Sequence, residues 1–287
     1  MNDPIATAIK QKSQPMDPQP TMMAARLPQL QGVRAILWDI YGTLFISGSG
    51  DVGTAAAINR DEALLEALDE AGITRPAGIT ADDLESAIKQ LHARAREQGI
   101  EFPEVDILQI WREVLTQHQA KKISESVVTK LALAYEFRVN PVWPMPGLVE
   151  VLQVLQGRGM SMGVVSNAQF FTPHLFPALT GRTLMEWGIS ESLCAWSWIE
   201  GVAKPCRSLF MQVLDRLGQR GISPEEVLFV GNDLRNDIWP ATELGCRTAL
   251  FAGDARSLRL RESDEQVCGL QPDLVITELP QLLHVLA

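Results

Sequence analysis

One stretch decides the fold of this chain: Val33-Arg34-Ala35-Ile36-Leu37-Trp38-Asp39-Ile40-Tyr41-Gly42-Thr43-Leu44-Phe45. Its first part, from Val33 to Trp38, is short, mostly apolar and rich in β-branched and aromatic residues, which predicts a buried strand. Asp39 follows where that strand ends, and Gly42 and Thr43 turn the chain away. Open α/β sheets bind ligands at the carboxyl ends of their strands, so Asp39 is either a ligand-binding carboxylate or the cap of a turn.

Hydrophobic periodicity divides the rest of the chain into two parts. Residues 47–140 show helical spacing, as in Leu84, Ile88 and Leu91, and no convincing strand. From Gly147 onward short apolar strands alternate with helices, which predicts a parallel sheet covered by helices on both faces. We therefore expect an α/β, Rossmann-like core formed by residues 31–46 and 141–287, with an all-helical domain over 47–140 inserted into it. The proline-rich stretch from Asn140 to Gly147 is expected to be a stiff return linker.

Composition excludes several classes of function. The chain has 287 residues and a formal net charge of −10, without a run of Lys or Arg, so nucleic acid and anionic membranes are poor partners for it. Its four cysteines form no C-x-x-C pair, which is typical of a reducing compartment, and its histidines lack metal-ligand spacing. Residues 1–30 are rich in Pro, Gln, Met and Ser and lack the apolar segment of a signal peptide. We expect a disordered leader there and a cytoplasmic protein.

A glycine-rich stretch follows the first strand. Residues 48–53 match G-x-G-x-x-G, and the acidic pair Asp69 and Glu70 lies about twenty residues further on, as in dinucleotide-binding sites. That site would need the acid to end a second strand, whereas Leu64, Leu65 and Leu68 mark this segment as a helix. The stretch is therefore interpreted as a flexible hinge between the two predicted domains.

Polar residues occur at the ends of predicted strands or just beyond them: Asp39, Ser166, Lys204 and the cluster Asn232–Asp237. Each alone has an ordinary explanation, such as a helix cap or a surface lysine. Together they match the needs of phosphoryl transfer. A carboxylate can attack phosphorus, while a lysine and a magnesium ion offset the negative charge and a serine hydroxyl binds a phosphate oxygen.

These residues resemble, in order, the four motifs of the haloacid dehalogenase-like hydrolases. Asp39-Ile40-Tyr41-Gly42-Thr43-Leu44 resembles the nucleophile motif, Ser166-Asn167 the second, Lys204-Pro205 the third, and Gly231-Asn232-Asp233 through Asp237 the acidic fourth. The resemblance extends from about Val33 to the C-terminus. It implies that the helical insert is a mobile cap, which closes over the site and selects the substrate.

The resemblance also implies roles for individual residues, a Mg²⁺ cofactor and a small phosphorylated metabolite as substrate. The implied catalytic residues are Asp39, Ser166 and Lys204. The implied substrate-binding residues are Tyr41, Thr43, Ser166 and Asn167, and the implied metal ligands are Asp39, Tyr41 (through its carbonyl), Asn232, Asp233 and Asp237.

Two positions depart from the phosphatase pattern. Tyr41 replaces the second aspartate that serves most phosphatases of the family as general acid and base, so a leaving group's proton must come from elsewhere. Asn232 stands where the usual pattern has the acid of Gly-Asp. We expect Asp233 to fill the metal-ligand position because of its charge, with Asn232 as a neutral oxygen ligand.

Other functions are open at this point. Tyr41 and Ser166-Asn167 are also typical of the L-2-haloacid dehalogenases, which attack carbon without a metal. Against that interpretation, those enzymes have an arginine soon after the first motif, whereas the first arginine after this motif is Arg60. The fourth motif here is also more acidic. A third hypothesis is a weakly active or inactive relative that binds a metabolite or a protein.

Overall fold

The computed structural model of the protein describes residues 3–49, 59–118 and 123–286. The strands of this part are β1 (Ala35–Trp38), β2 (Phe45–Ser47), β3 (Val142–Pro144), β4 (Ser161–Ser166), β5 (Ile189–Trp196), β6 (Val227–Gly231), β7 (Arg247–Phe251) and β8 (Leu274–Ile276). Its helices are α1 (Pro4–Lys12), α2 (Arg60–Ala71), α3 (Ala81–Glu97), α4 (Ile107–Gln117), α5 (Glu125–Val139), α6 (Leu148–Gly157), α7 (Leu175–Thr180), α8 (Ser197–Glu200), α9 (Arg207–Gly218), α10 (Trp239–Glu243) and α11 (Leu282–Val285).

A parallel sheet lies at the centre of the fold, with its strands in the order β5-β4-β1-β6-β7-β8. Side chains alternate along β1: Ile36 and Trp38 join one buried cluster, and Ala35 and Leu37 join another on the opposite face. Both faces of the sheet are therefore buried, and the predicted α/β parallel sheet is confirmed. Strand β5 ends at Trp196, and Trp198 lies in α8.

Helices α2 to α5 form a second hydrophobic cluster of their own, and we call residues 59–118 and 123–139 the helical insert. Helix α2 begins where the Asn59 side chain accepts a hydrogen bond from the Glu62 amide, and it ends at Gly72, which adopts φ +76°. Helix α5 contributes Tyr135 to the cluster of the insert and Phe137 to the cluster of the sheet. The predicted hinge extends into residues 50–58, which lie outside the described residues.

A short antiparallel pair connects the insert to the sheet domain. Residues Phe45–Ser47 of β2 pair with Val142–Pro144 of β3. The sequence predicts only a stiff linker at β3, because three residues that include Pro144 are too short for a recognisable alternation. The return segment is thus hydrogen-bonded to the chain that leaves the sheet.

The N-terminal segment differs from the disordered leader that its composition predicts. Asp3 caps α1 by accepting hydrogen bonds from the amides of Ile5 and Ala6. Ile9 is fully buried, and α1 packs against both α5 and α7. Composition could not reveal this order, because one buried isoleucine and a cap stabilise the helix only once α5 and α7 are in place.

Across residues 3–49, 59–118 and 123–286, every helix is too short or too polar to cross a membrane.

Candidate active site

Sheet order brings the predicted site residues together. Strand β1 lies between β4 and β6, so Asp39, just after β1, is next to Ser166 at the end of β4 and Gly231 at the end of β6. The Asp39 amide continues the sheet by donating to the carbonyl of Val230 at 2.9 Å. Asp39 is 5% exposed, so its carboxylate needs partners within the protein.

Three side chains donate hydrogen bonds to the Asp39 carboxylate. Lys204 Nζ is 2.6 Å and Ser166 Oγ is 3.2 Å from Asp39 Oδ1. Thr43 Oγ1 donates to the other oxygen, Oδ2, at 3.0 Å. These contacts fix the orientation of the carboxylate at the edge of the sheet, where a nucleophile would have to lie.

Lys204 bridges two buried carboxylates. Its Nζ is 2.6 Å from Asp237 Oδ1 as well as from Asp39. Burial opposes the charge on Lys204, but Asp237 and Asp39 outweigh it and raise the pKa of Lys204 above its usual value. Burial is also the largest influence on Asp237 and raises the pKa of that carboxyl, while Lys204 acts in the opposite direction. One cation between two carboxylates leaves this cluster with a formal charge of −1.

Asp237 also orders the loop after β6. Its Oδ2 accepts hydrogen bonds from the backbone amides of Asn232 and Asp233, both at 3.0 Å. Gly231 allows this approach, since a Cβ at that position would lie 2.4 Å from Asp237 Cγ. The acid that binds Lys204 thus also determines where the fourth motif lies.

Gly42 forms the tight turn that directs Thr43 toward Asp39. Its φ is +79°, and a Cβ there would lie 2.3 Å from Ser257 Cβ and 2.5 Å from Asn232 Nδ2. The turn therefore depends on glycine both for its backbone conformation and for the space that glycine leaves.

Gly42→Ala is expected to lower the free energy of unfolding by about 1–3 kcal/mol more than Gly72→Ala. Only at Gly42 would the added methyl group collide with buried side chains. Gly72 is a matched control, since it has φ +76° but no atom within 4 Å of the place that a Cβ would occupy. Urea unfolding of both variants measures the difference. Equal losses would show that backbone conformation alone matters at Gly42.

Asn232, rather than Asp233, is directed toward Asp39. Thr43 Oγ1 is 3.4 Å from Asn232 Oδ1 and 3.0 Å from Asp39 Oδ2, so both of these oxygens are within hydrogen-bond distance of the same hydroxyl group. Asn232 Nδ2 donates to the Ser257 carbonyl at 2.6 Å, which fixes the amide orientation. Asp233 instead pairs with Arg261 at 2.6 Å and caps the following π-helical turn. The sequence-based expectation gave Asp233 the metal-ligand position, whereas the contacts seen here favour Asn232 for it.

Tyr41 and Asn167 have contacts of a different kind. The Tyr41 hydroxyl is 2.9 Å from Thr172 Oγ1, and burial, together with the charges of Glu136 and Asp39, raises the pKa of Tyr41. The phenol therefore stays protonated at neutral pH. Asn167 Oδ1 accepts from the Lys204 amide at 2.7 Å, so this side chain positions Lys204.

The donor atoms around Asp39 fit Mg²⁺ in type. Asp39 and Asn232 supply a carboxylate and an amide oxygen near the same hydroxyl, and Mg²⁺ prefers oxygen ligands. Asp237 is already bound to Lys204 and Asp233 to Arg261. Accordingly, the described part of the chain has no group of three or more His, Cys, Asp or Glu residues that could hold a metal ion. Two of the three carboxylates that the sequence predicts as metal ligands, Asp233 and Asp237, are thus paired with cationic side chains of the protein.

Sequence reasoning missed Arg261 and Ser257. Arg261 has φ 52°, and its backbone position depends on a loop after β7 that no local pattern predicts. Ser257 Oγ is buried and has no hydrogen-bond partner among the described residues, and it lies beside the Gly42 turn. Only the fold brings these residues to the fourth motif.

Known proteins are similar to this chain in sequence and in fold. Residues 33–245 match the family of haloacid dehalogenase-like hydrolases. Glyceraldehyde 3-phosphate phosphatase from Methanocaldococcus jannaschii is 24% identical over 262 residues, which cover 88% of this chain and 96% of the relative. 2-Haloacid dehalogenase from Pseudomonas syringae pv. tomato has a similar structure, with a TM-score of 0.58 and 18% identity over 88% of this chain and 97% of that one. The HAD-hydrolase YfnB from Bacillus subtilis, bound to magnesium, has a TM-score of 0.50 and 21% identity over 89% of this chain and 99% of that one.

Proposed function

Because the chain belongs to the haloacid dehalogenase-like hydrolases, we propose that it hydrolyses a phosphomonoester of a small metabolite through an aspartyl-phosphate on Asp39. The observation that most supports this is the buried Asp39 carboxylate at the sheet edge, with Lys204 Nζ 2.6 Å away and the Ser166 and Thr43 hydroxyls donating to it. The phosphatase from Methanocaldococcus jannaschii supports a phosphorylated substrate.

In the proposed reaction a carboxylate oxygen of Asp39 attacks phosphorus and the bond to the leaving oxygen breaks. Thr43 and Ser166 orient the carboxylate, and Lys204 offsets part of the charge that builds up. Water then attacks the phosphorus of the acyl phosphate and releases inorganic phosphate and the Asp39 carboxylate.

Tyr41 is a poor source of the leaving group's proton, because its hydroxyl is paired with Thr172 and its pKa is raised. Aryl and acyl phosphates, whose leaving groups need no proton, are therefore expected to react faster than alkyl phosphates.

Asp39 and Asn232 are the residues that would hold Mg²⁺. When bound, the ion supplies positive charge that offsets the repulsion between the Asp39 carboxylate and the phosphate. The cluster of Asp39, Lys204 and Asp237 has a formal charge of −1, so a bound cation would reduce its repulsion of a phosphate dianion. We further propose that the helical insert acts as a cap over this site.

Asn232→Asp is expected to lower the Mg²⁺ concentration for half-maximal activity about tenfold, because it adds a carboxylate beside Asp39. Asp233→Asn should change that concentration by less than about twofold, because Asp233 pairs with Arg261. The measurement is a Mg²⁺ titration of p-nitrophenyl phosphate hydrolysis after treatment with EDTA. The opposite ranking of the two variants would assign the metal to Asp233 and contradict our assignment.

A metal-free hydrolysis at carbon is the second candidate function. Two observations favour it. Asn232 is neutral at a position where a carboxylate would bind a metal ion more tightly, and the Asp233 carboxylate is paired with Arg261. If wild-type protein releases chloride from 2-chloropropionate in EDTA and leaves p-nitrophenyl phosphate intact even with Mg²⁺ present, this second function replaces the first.

A further inference from the structure

One segment of the helical insert contacts the loop that leads to Lys204. The Glu104 amide donates to the Gly201 carbonyl at 3.0 Å, and the Ala203 amide donates to the Phe102 carbonyl at 2.8 Å. Pro103 and Val202 form a bridge of antiparallel type between these two hydrogen bonds. The backbone immediately before Lys204 is therefore held by the insert rather than by the sheet domain alone.

The same segment contacts the loop that follows Ser166. The Ile107 amide donates to Gln169 Oε1 at 3.0 Å, and Gln169 Nε2 donates to the Val105 carbonyl at 2.8 Å. Asn167, two residues before Gln169, accepts from the Lys204 amide at 2.7 Å. The loop that follows Ser166 and the loop that contains Lys204 thus meet each other and the insert at one place.

Glu104 lies where these contacts converge. Its Oε2 accepts from Ser197 Oγ at 2.7 Å, and Ser197 Oγ accepts from the Ala168 amide at 2.8 Å. Its Oε1 accepts from the Val105 amide at 2.9 Å and lies 3.5 Å from Gln169 Nε2. Glu104 is half-buried, burial raises its pKa, and no Lys, Arg or His of the described residues forms an ion pair with it. Burying a carboxyl group without a paired cation costs free energy. The hydrogen bonds from the Ser197 hydroxyl and the Val105 amide offset that cost for Glu104.

We propose that Glu104 is a positioning residue of the Asp39 site. It connects the helical insert to the loops of Asn167 and Lys204, so Ser166 and Lys204 are fully in place beside Asp39 only while the insert is docked on the sheet domain. The expected effect of Glu104 on turnover rests on the proposed function. The expected effect of Glu104 on the two loops does not depend on any substrate.

Glu104→Ala tests the proposal with two measurements. Hydrogen–deuterium exchange should speed up about tenfold or more at residues 167–169 and 201–204 while β1, β6 and β7 stay protected, because the lost carboxylate frees those loops. With p-nitrophenyl phosphate, kcat should fall about tenfold or more and KM should change less than threefold, since misplaced groups act mainly on the transition state.

Two variants serve as controls. Glu104→Gln keeps an oxygen for the Ser197 hydroxyl or the Val105 amide, so it should retain kcat within about threefold. Glu85→Gln removes a half-exposed carboxylate that pairs with Arg60 and Lys89 inside the insert, and it should leave both the loop exchange and kcat unchanged.

The proposal is overturned if Glu104→Ala leaves the exchange of both loops within twofold of wild type, whatever happens to kcat. It is also overturned if exchange increases evenly over the whole insert, or if the loops exchange faster while kcat stays unchanged in an active enzyme. Faster loop exchange in a protein whose wild type hydrolyses no phosphate ester would support the link between Glu104 and the loops and would refute the phosphatase function instead.

Discussion

Asp39→Asn is expected to lower kcat on p-nitrophenyl phosphate by at least about a thousandfold and to leave the fold intact. The amide has nearly the same shape as the carboxylate but lacks the charge of a nucleophile. The cluster of Asp39, Lys204 and Asp237 would then contain one cation and one carboxylate, so no buried charge is left unpaired. The melting temperature should therefore change little.

Asp69→Asn is the matched control, since Asp69 is exposed and pairs with Arg75 within the helical insert. That variant should retain wild-type turnover. If Asp39→Asn keeps activity within about tenfold of wild type, a covalent mechanism on Asp39 is excluded.

Lys204→Met is expected to lower both activity and stability. Removing the cation leaves Asp39 and Asp237 buried without a positive charge beside them, which typically costs about 3–5 kcal/mol in the free energy of unfolding. Turnover should fall about a hundredfold or more, because the charge that develops on phosphate loses a fixed cation. Lys89→Met, which removes a largely exposed lysine paired with Glu85, should change neither quantity measurably.

The stability loss of Lys204→Met should depend on pH. Without Lys204, burial and the charges of Asp39 and Asp233 raise the pKa of Asp237 in the folded protein above its value in the unfolded chain. The folded variant then binds more protons than the unfolded chain, so its stability falls as pH rises through the raised pKa of Asp237. The difference from wild type should be smaller near pH 5 than near pH 8 in urea unfolding. A difference that is constant with pH would show that lost packing, and not charge, destabilises the variant.

The sequence predicted the parts of the site that follow from strand ends. Asp39 and Ser166 lie beside each other because parallel strands place their carboxyl ends on one edge, and the apolar segments marked those ends well. Lys204 and Asp237 were also predicted as members of the site. Their contact with each other could be seen only in the structure, because it depends on how the loops after β5 and β6 approach each other.

The parts that the sequence did not predict depend on contacts between distant segments. Asp233 was preferred for its charge, yet Arg261, from a loop 28 residues further along the chain, pairs with it. Helix α1 was missed because its order depends on α5 and α7. Glu104 carries no motif at all, and its contacts with Ser197 and Gln169 span 93 and 65 residues. Local propensity contains no information on such pairs.

Trapping the phosphorylated enzyme tests the central claim most directly. Wild-type protein is mixed with p-nitrophenyl phosphate and Mg²⁺, quenched in acid within the first turnover, digested and analysed by mass spectrometry. We predict one added phosphoryl group on the peptide that contains Asp39, located on Asp39 by fragmentation and lost on treatment with hydroxylamine, which cleaves acyl phosphates. The same peptide from Asp39→Asn should remain unmodified. A wild-type enzyme that turns over substrate but never carries phosphate on Asp39, under quench conditions in which an acyl phosphate survives, would contradict the account.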